Sequence, residues 1–126
     1  MESEALNLTA VLVGTVVAFI AGWIYYSVKP IRITWAEGSR ISSEPPEKMP
    51  MMAMGLQVAG LFLLALVIVM TAKTNALFTA IAAILATAVM VMAQDTFSQK
   101  STAAIVIDGI FVVLAGVIMI VCQGVF

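Results

Sequence analysis

The sequence predicts an all-α integral membrane protein with four transmembrane helices in a bundle. Of its 126 residues, 63% are hydrophobic and only 10% are charged, and the mean hydropathy is +1.13. A soluble domain of this length could not cover so much apolar surface with so few charges. Four apolar windows are each long enough to cross about 30 Å of hydrocarbon, which takes about 20 helical residues. Backbone groups that face lipid need partners within their own segment, so each window is predicted to be a helix.

The predicted spans cover about residues 6–28, 51–72, 76–96 and 103–125, in one domain over residues 1–126. The segment before the first span carries two glutamates and no lysine or arginine, and no small-x-small cleavage site follows the apolar window. We therefore interpret the first window as a retained span and not as a signal peptide. Between the first two spans, the four prolines of the chain argue against a long helix.

The distribution of basic residues predicts the orientation. The first and third connections lie on one side of the membrane and together carry five basic residues, whereas the opposite side carries Lys73 and the amino terminus. The positive-inside rule then makes 29–50 a cytoplasmic loop and places both termini on the non-cytoplasmic side. Aromatic side chains agree, because amphipathic rings settle at membrane interfaces and four of them gather at the predicted cytoplasmic one: Trp23, Tyr25, Tyr26 and Trp35.

Small residues at four-residue spacing predict where the helices touch. Helices associate in lipid by close backbone approach, which small side chains allow. Asp108 is four residues before Val112 and eight before Gly116, so its carboxyl lies on a stripe shared with a small contact residue and should face protein. The predicted packing residues are Gly14, Ala18 and Gly22 in the first span, Gly55 and Ala59 in the second, and Gly116 in the fourth.

A polar layer is predicted near the cytoplasmic side. Asp108 lies about five residues into the fourth span, or roughly 8 Å along the helix. The candidate intramembrane polar site joins this carboxyl to Gln57, Tyr26, Tyr25 and Trp23, while Gln94 and Asp95 close the third span at a similar level. An alternative partner for the carboxyl is Lys100, which can reach it by snorkelling. The site is either a proton- or ligand-binding site open to the cytoplasm or an interhelical hydrogen bond that sets the register of the helices.

Several chemistries are disfavoured by composition. The chain has no histidine and a single cysteine, so we expect no cofactor, no metal site and no internal disulfide. A net charge of −1 provides no basic field for nucleic acid. Methionine thioethers at the start of the second span could bind copper(I), but methionine is also an ordinary apolar filler there.

Two short motifs resemble a known family. Gly22-Trp23-Ile24-Tyr25-Tyr26-Ser27 followed by Trp35 is similar to the G-x-x-W-Y-S…W signature of domain of unknown function 1761. Ile107-Asp108-Gly109-Ile110-Phe111-Val112 is similar to its I-D/N-a-G-Y-H pattern, with Val112 where a histidine is often found and the proline after Tyr-Ser displaced to Pro30. The resemblance implies a small four-helix protein of the bacterial cytoplasmic (inner) membrane, and it implies no particular activity.

Three functions are then compatible with the sequence. The first is a non-enzymatic membrane protein that acts through helix packing in the lipid bilayer, as a homo-oligomer or as an accessory subunit beside other membrane subunits. The second is a small proton- or cation-coupled transporter or channel that uses Asp108, with Gln57 and Tyr26 as neighbours. The third, an enzyme acting on a lipid or quinone, has only the tyrosines and Asp108 in its favour.

Overall fold

A computed structural model describes residues 7–39, 41 and 51–126. In these ranges the chain forms five α-helices and no strand. Four of the helices are long and apolar enough to cross a membrane, so the predicted fold class is confirmed and the chain is an integral membrane protein. The helices are α1 (Leu8–Ser27), α2 (Lys29–Ser39), α3 (Met51–Ala72), α4 (Leu77–Phe97) and α5 (Thr102–Val125).

Local signals set the ends of these helices. The Asn7 side chain accepts a hydrogen bond from the Ala10 backbone N–H, and the Ser101 side chain caps α5 in the same way, both at 3.1 Å. The turns after α3 and α4 each contain one residue with a left-handed backbone, Asn75 at φ 54° and Gln99 at φ 61°. These turns reverse the chain direction within a few residues, so α3, α4 and α5 run antiparallel in succession.

The structure corrects the predicted loop 29–50, because part of this segment forms the helix α2. The prolines argued against a long helix there, but 11 residues of the segment are helical. Pro30 lies in the first turn, where a backbone N–H has no intrahelical partner to lose. The prolines at 45, 46 and 50, together with Arg40 and Lys48, lie outside the described residues, so that part of the loop prediction remains a prediction.

The helix α5 is the centre of the fold, because it contacts each of the other four helices. One side of α1 and one side of α4 pack against it, and α3 packs against both α1 and α5. Because α1 and α4 end where α5 begins, their ends meet at one end of the molecule, where α2 also lies. We call this the α2 end. The buried core includes Val11, Ala18, Leu61, Ala65, Ile84, Phe111, Ala115 and Met119.

The small residues of α1 and α5 lie at close helix contacts. A Cβ atom added at Gly14 would lie 3.5 Å from Met119 Cγ, and one at Gly22 would lie 2.6 Å from Phe111 Cε1. Gly116 is equally tight, since a Cβ there would lie 2.5 Å from Ile84 Cδ1. The remaining predicted member of the α1 stripe, the side chain of Ala18, is fully buried.

The predicted packing face of α3 is not used within the chain. Nothing lies within 4 Å of a Cβ at Gly55, and Ala59 is exposed. The helix instead packs through residues about a third of a turn away, because α1 and α5 both lie on that side: Leu61, Ala65, Ile68 and Val69.

Candidate functional site

A cluster of charged and aromatic side chains lies at the α2 end of the molecule. The cluster consists of Tyr26 from α1, Trp35 from α2, Asp95 from α4, Lys100 from the α4–α5 turn and Asp108 from α5. All five come together because α1 and α4 end, and α5 begins, at the same level. We refer to this group as the polar cluster.

Asp108 is at the centre of the polar cluster. Its residue surface is only 8% exposed. One carboxylate oxygen, Oδ1, accepts a hydrogen bond of 2.5 Å from the Tyr26 hydroxyl, and the other, Oδ2, lies 3.6 Å from Lys100 Nζ. Both oxygens therefore have partners, and those partners come from two other parts of the chain. A carboxylate is costly to bury in an apolar region unless it is paired in this way.

Lys100 connects two buried carboxylates. Its ammonium lies 3.3 Å from Asp95 Oδ1 as well as 3.6 Å from Asp108 Oδ2. The turn after α4 directs the lysine back onto the helix ends, because the Lys100 N–H donates a 3.0 Å hydrogen bond to the Asp95 carbonyl. The second oxygen of Asp95, Oδ2, is enclosed and has no hydrogen-bond partner among the described residues. Two carboxylates thus share one cation in a largely enclosed site.

Aromatic rings surround these charges. The Tyr26 ring lies between Trp35, at 5.5 Å between ring centroids, and Phe111, at 5.6 Å. Lys100 Nζ lies 5.3 Å from the Trp35 ring centroid, which is within cation–π range. Tyr25 anchors the same region from α1, because its hydroxyl donates a 2.9 Å hydrogen bond to the Ile107 carbonyl of α5. The rings cover part of the ion pairs and connect the ends of α1, α2 and α5.

The polar cluster differs in part from the predicted site. Asp108, Tyr26 and Tyr25 lie together, but Trp23 and Gln57 do not join them. Trp23 is 57% exposed and packs edge-on against Phe19, because it lies on the outer side of α1. Gln57 is also exposed, and it makes no hydrogen bond with any residue that the structure describes.

Two members of the polar cluster were missed by the sequence reasoning. Asp95 was recognised only as a residue that closes the third span, and Trp35 only as an interfacial aromatic. Asp95 and Lys100 are five residues apart across a turn. This short separation is the one local signal that could have linked the acid to the lysine. The position of Trp35 has no such signal, because it depends on α2 folding back onto α5.

Gln57 lies in a second feature, a groove between α3 and α4. This groove has a volume of about 390 Å³ and a floor formed by α5. On the α3 wall, residues at helical spacing of three and four share one face with Gln57. The groove is otherwise almost entirely apolar, and it is lined by Gln57, Gly60, Leu64, Val67, Ala83, Thr87, Val91, Phe111, Val112 and Ala115, among others.

The chemistry available at these sites is limited. In the described part of the chain, no group of three or more histidine, cysteine or acidic side chains is placed to hold a metal ion. The acids of the polar cluster already bind Lys100 and Tyr26. The arrangement can hold helix ends together by ion pairs and hydrogen bonds.

The fold and the polar cluster define a small polytopic membrane protein whose helix ends are joined by a buried ion-pair network. Comparison with family models matches residues 9–124 to the family described as protein of unknown function (DUF1761). The chain belongs to this family, and the resemblance predicted from its two motifs is confirmed. Searches of curated proteins and of solved structures find no significant match.

Proposed function

We propose that this protein is a non-enzymatic component of the bacterial cytoplasmic membrane that acts through helix packing, as a homo-oligomer or as an accessory subunit of a larger membrane complex. The observation that carries the proposal is the unpaired side chain of Gln57. Its amide lies six residues into α3, about 9 Å along the helix, in a groove that is otherwise almost entirely apolar. An amide without a partner is unfavourable in hydrocarbon, and a helix from another chain can provide that partner.

The rest of the α3 surface supports the same proposal. Gly60 lies one turn from Gln57 on the groove side, where nothing would contact an added Cβ. On the far side of the helix, Gly55 and Ala59 are also exposed. Small residues of this kind let a second backbone approach closely, and a nearby amide adds an interhelical hydrogen bond worth about 1 kcal/mol.

The arrangement of the polar cluster also favours a packing role. Both oxygens of Asp108 are already bound to other groups of the chain. A carboxylate fixed between a tyrosine and a lysine acts as a link between helices.

Co-purification of two differently tagged copies in mild detergent tests this proposal. We expect the tagged protein to retain a stoichiometric partner, which is either the second copy or another membrane protein. Gln57→Leu should weaken that retention several-fold, whereas Met70→Leu, at an exposed position near the other end of α3, should leave it unchanged. Recovery of a monomer alone, or equal behaviour of the two variants, would exclude a packing role for the Gln57 surface.

A second candidate, a small proton- or cation-coupled transporter or channel, is favoured by one observation. Asp95 and Asp108 share the single ammonium of Lys100, so one carboxylate charge is formally in excess. Reconstitution in liposomes separates the two functions. Transport requires a proton or cation flux that is lost in Asp108→Asn. A packing role predicts no flux above that of empty liposomes. It also predicts that assembly is lost only in Asp108→Ala.

A further inference from the structure

One face of α2 carries three polar atoms that are enclosed but have no hydrogen-bond partner in the described part of the chain: Arg32 Nε, Trp35 Nε1 and Ser39 Oγ. These residues are spaced by three and four, so they lie on the same face of the helix. That face is turned toward the rest of the molecule, because Ala36 on the same side is buried and α2 contacts both α1 and α5.

The chemistry of the three groups restricts what can satisfy them. The Arg32 Nε–H and the Trp35 indole N–H can only donate a hydrogen bond, and the Ser39 hydroxyl can donate one as well. The guanidinium is also permanently charged. The described acid of α2, Glu37, is exposed on the other side of the helix. A ligand for this face must therefore supply several acceptors and a negative charge, which is the chemistry of a phosphate group.

Two groups of positive character, the amino terminus of α5 and the Lys100 ammonium, lie beside this face. The end of α2 rests on the first turn of α5, because the Gly38 carbonyl accepts a 3.0 Å hydrogen bond from the Ser101 N–H. A helix amino terminus attracts anions. The Lys100 ammonium lies 5.3 Å from the Trp35 ring centroid. The two nearby carboxylates, Asp95 and Asp108, are already bound to this ammonium.

The position of α2 indicates the source of the phosphate. Only Val28 separates α2 from the end of α1, so α2 lies where a membrane-spanning helix leaves the apolar layer. Lipid phosphates are found at this level, and basic pockets beside transmembrane helices bind anionic headgroups. We propose that the α2 face formed by Arg32, Trp35 and Ser39 binds the phosphodiester headgroup of an anionic phospholipid. This inference does not depend on the proposed function.

The two tryptophans of the chain make this proposal measurable. In a Trp23→Phe background, which changes an exposed side chain, Trp35 is the only tryptophan. Short-chain phosphatidylglycerol added to the full-length protein in detergent should change the Trp35 emission until it saturates. Phosphatidylcholine should change the Trp35 emission only at a concentration roughly tenfold higher than that of phosphatidylglycerol, or above. Equal response to the two lipids would overturn the proposal.

A matched pair of basic residues tests the site itself. Arg32→Gln should raise the half-saturating phosphatidylglycerol concentration about ten- to a hundredfold, as expected for loss of hydrogen bonds to a charged group. Lys29 is exposed and lies one turn from Arg32. Lys29→Gln removes its charge and should change the half-saturating phosphatidylglycerol concentration less than about threefold. Equal losses in both variants would show nonspecific surface attraction and would overturn the assignment.

Smaller substitutions guard against misfolding. Ser39→Ala and Arg32→Lys should each weaken binding by an intermediate factor while the helical circular dichroism spectrum stays unchanged. Unaltered binding in both variants would contradict the proposed contacts. Inorganic phosphate is the remaining probe, and binding as tight as that of phosphatidylglycerol would show a free-phosphate site in place of a headgroup site.

Discussion

The Tyr26 hydroxyl donates a 2.5 Å hydrogen bond to Asp108 Oδ1 across 82 residues of sequence. This bond joins the end of α1 to the start of α5, the helix that every other helix contacts. The acceptor residue, Asp108, is buried, and its other oxygen, Oδ2, lies 3.6 Å from the Lys100 ammonium. The bond therefore connects helix packing to the ion pairs of the polar cluster, and it is the first contact to test.

Removal of this hydroxyl should destabilise the fold. We expect Tyr26→Phe to lower the free energy of unfolding by about 1–3 kcal/mol, because Asp108 Oδ1 would then be buried without its donor. The measurement is the unfolding midpoint in mixed micelles, followed by circular dichroism. Tyr25→Phe is the matched control, since it removes a neutral hydrogen bond to the Ile107 carbonyl and should cost about 1 kcal/mol or less. Equal effects of the two variants would argue against a special role for Asp108.

Loss of the shared cation should be more severe. Lys100→Met would leave two buried carboxylates without a counter-charge, and we expect a loss of roughly 3 kcal/mol, reduced somewhat because the lysine side chain is 23% exposed. The double variant Lys100→Met with Asp95→Asn should recover part of that loss, because one carboxylate charge is removed together with the ammonium. Additive losses in the double variant would show that the two groups do not interact.

Two glycines with similar clearance should differ in their tolerance of a methyl group. A Cβ at Gly22 would lie 2.6 Å from Phe111 Cε1, and one at Gly109 would lie 2.6 Å from Met92 Sδ. Phe111 is held between Tyr25 and Tyr26, whereas a methionine end can rotate away.

We therefore expect Gly22→Ala to cost about 1–3 kcal/mol of unfolding free energy and Gly109→Ala less than about 1 kcal/mol. The same mixed-micelle unfolding experiment measures both. A larger loss at Gly109 would mean that Met92 is the more rigid neighbour.

Substitution at Gly38 should detach α2 while the long helices stay folded. A Cβ at this position would collide with Ser101 Oγ and lie 2.8 Å from Ala104 Cβ. In the Trp23→Phe background, Gly38→Ala should shift the Trp35 emission toward that of a solvent-exposed indole. Thr34→Ala, on the exposed side of α2, should leave the emission unchanged. An unshifted spectrum in Gly38→Ala would show that α2 is not held by this contact.

Much of the fold could be predicted without a structure. The spans follow from hydrophobicity and length alone, because a bilayer accepts only segments that satisfy their own backbone. The small residues of α1 at positions 14, 18 and 22 mark the side that lies against α5. The same spacing at Gly55 and Ala59 predicted the wrong side of α3 for contacts within the chain. Spacing identifies a face of a helix, but it cannot tell which neighbour the face meets.

The candidate site depended more strongly on tertiary structure. The sequence by itself predicted that Asp108 faces protein, and it grouped the carboxyl with Tyr26, Tyr25, Trp23 and Gln57, with Lys100 as an alternative partner. Only the tertiary structure decided that Asp95 shares the lysine, that Trp35 covers it and that Gln57 points into a groove. The physical reason is that hydrophobicity acts on each segment separately, whereas these contacts arise where the ends of separate helices meet. Asp95 and Lys100 are only five residues apart, but the other partners are far apart in sequence, and nothing local to one of them specifies the other.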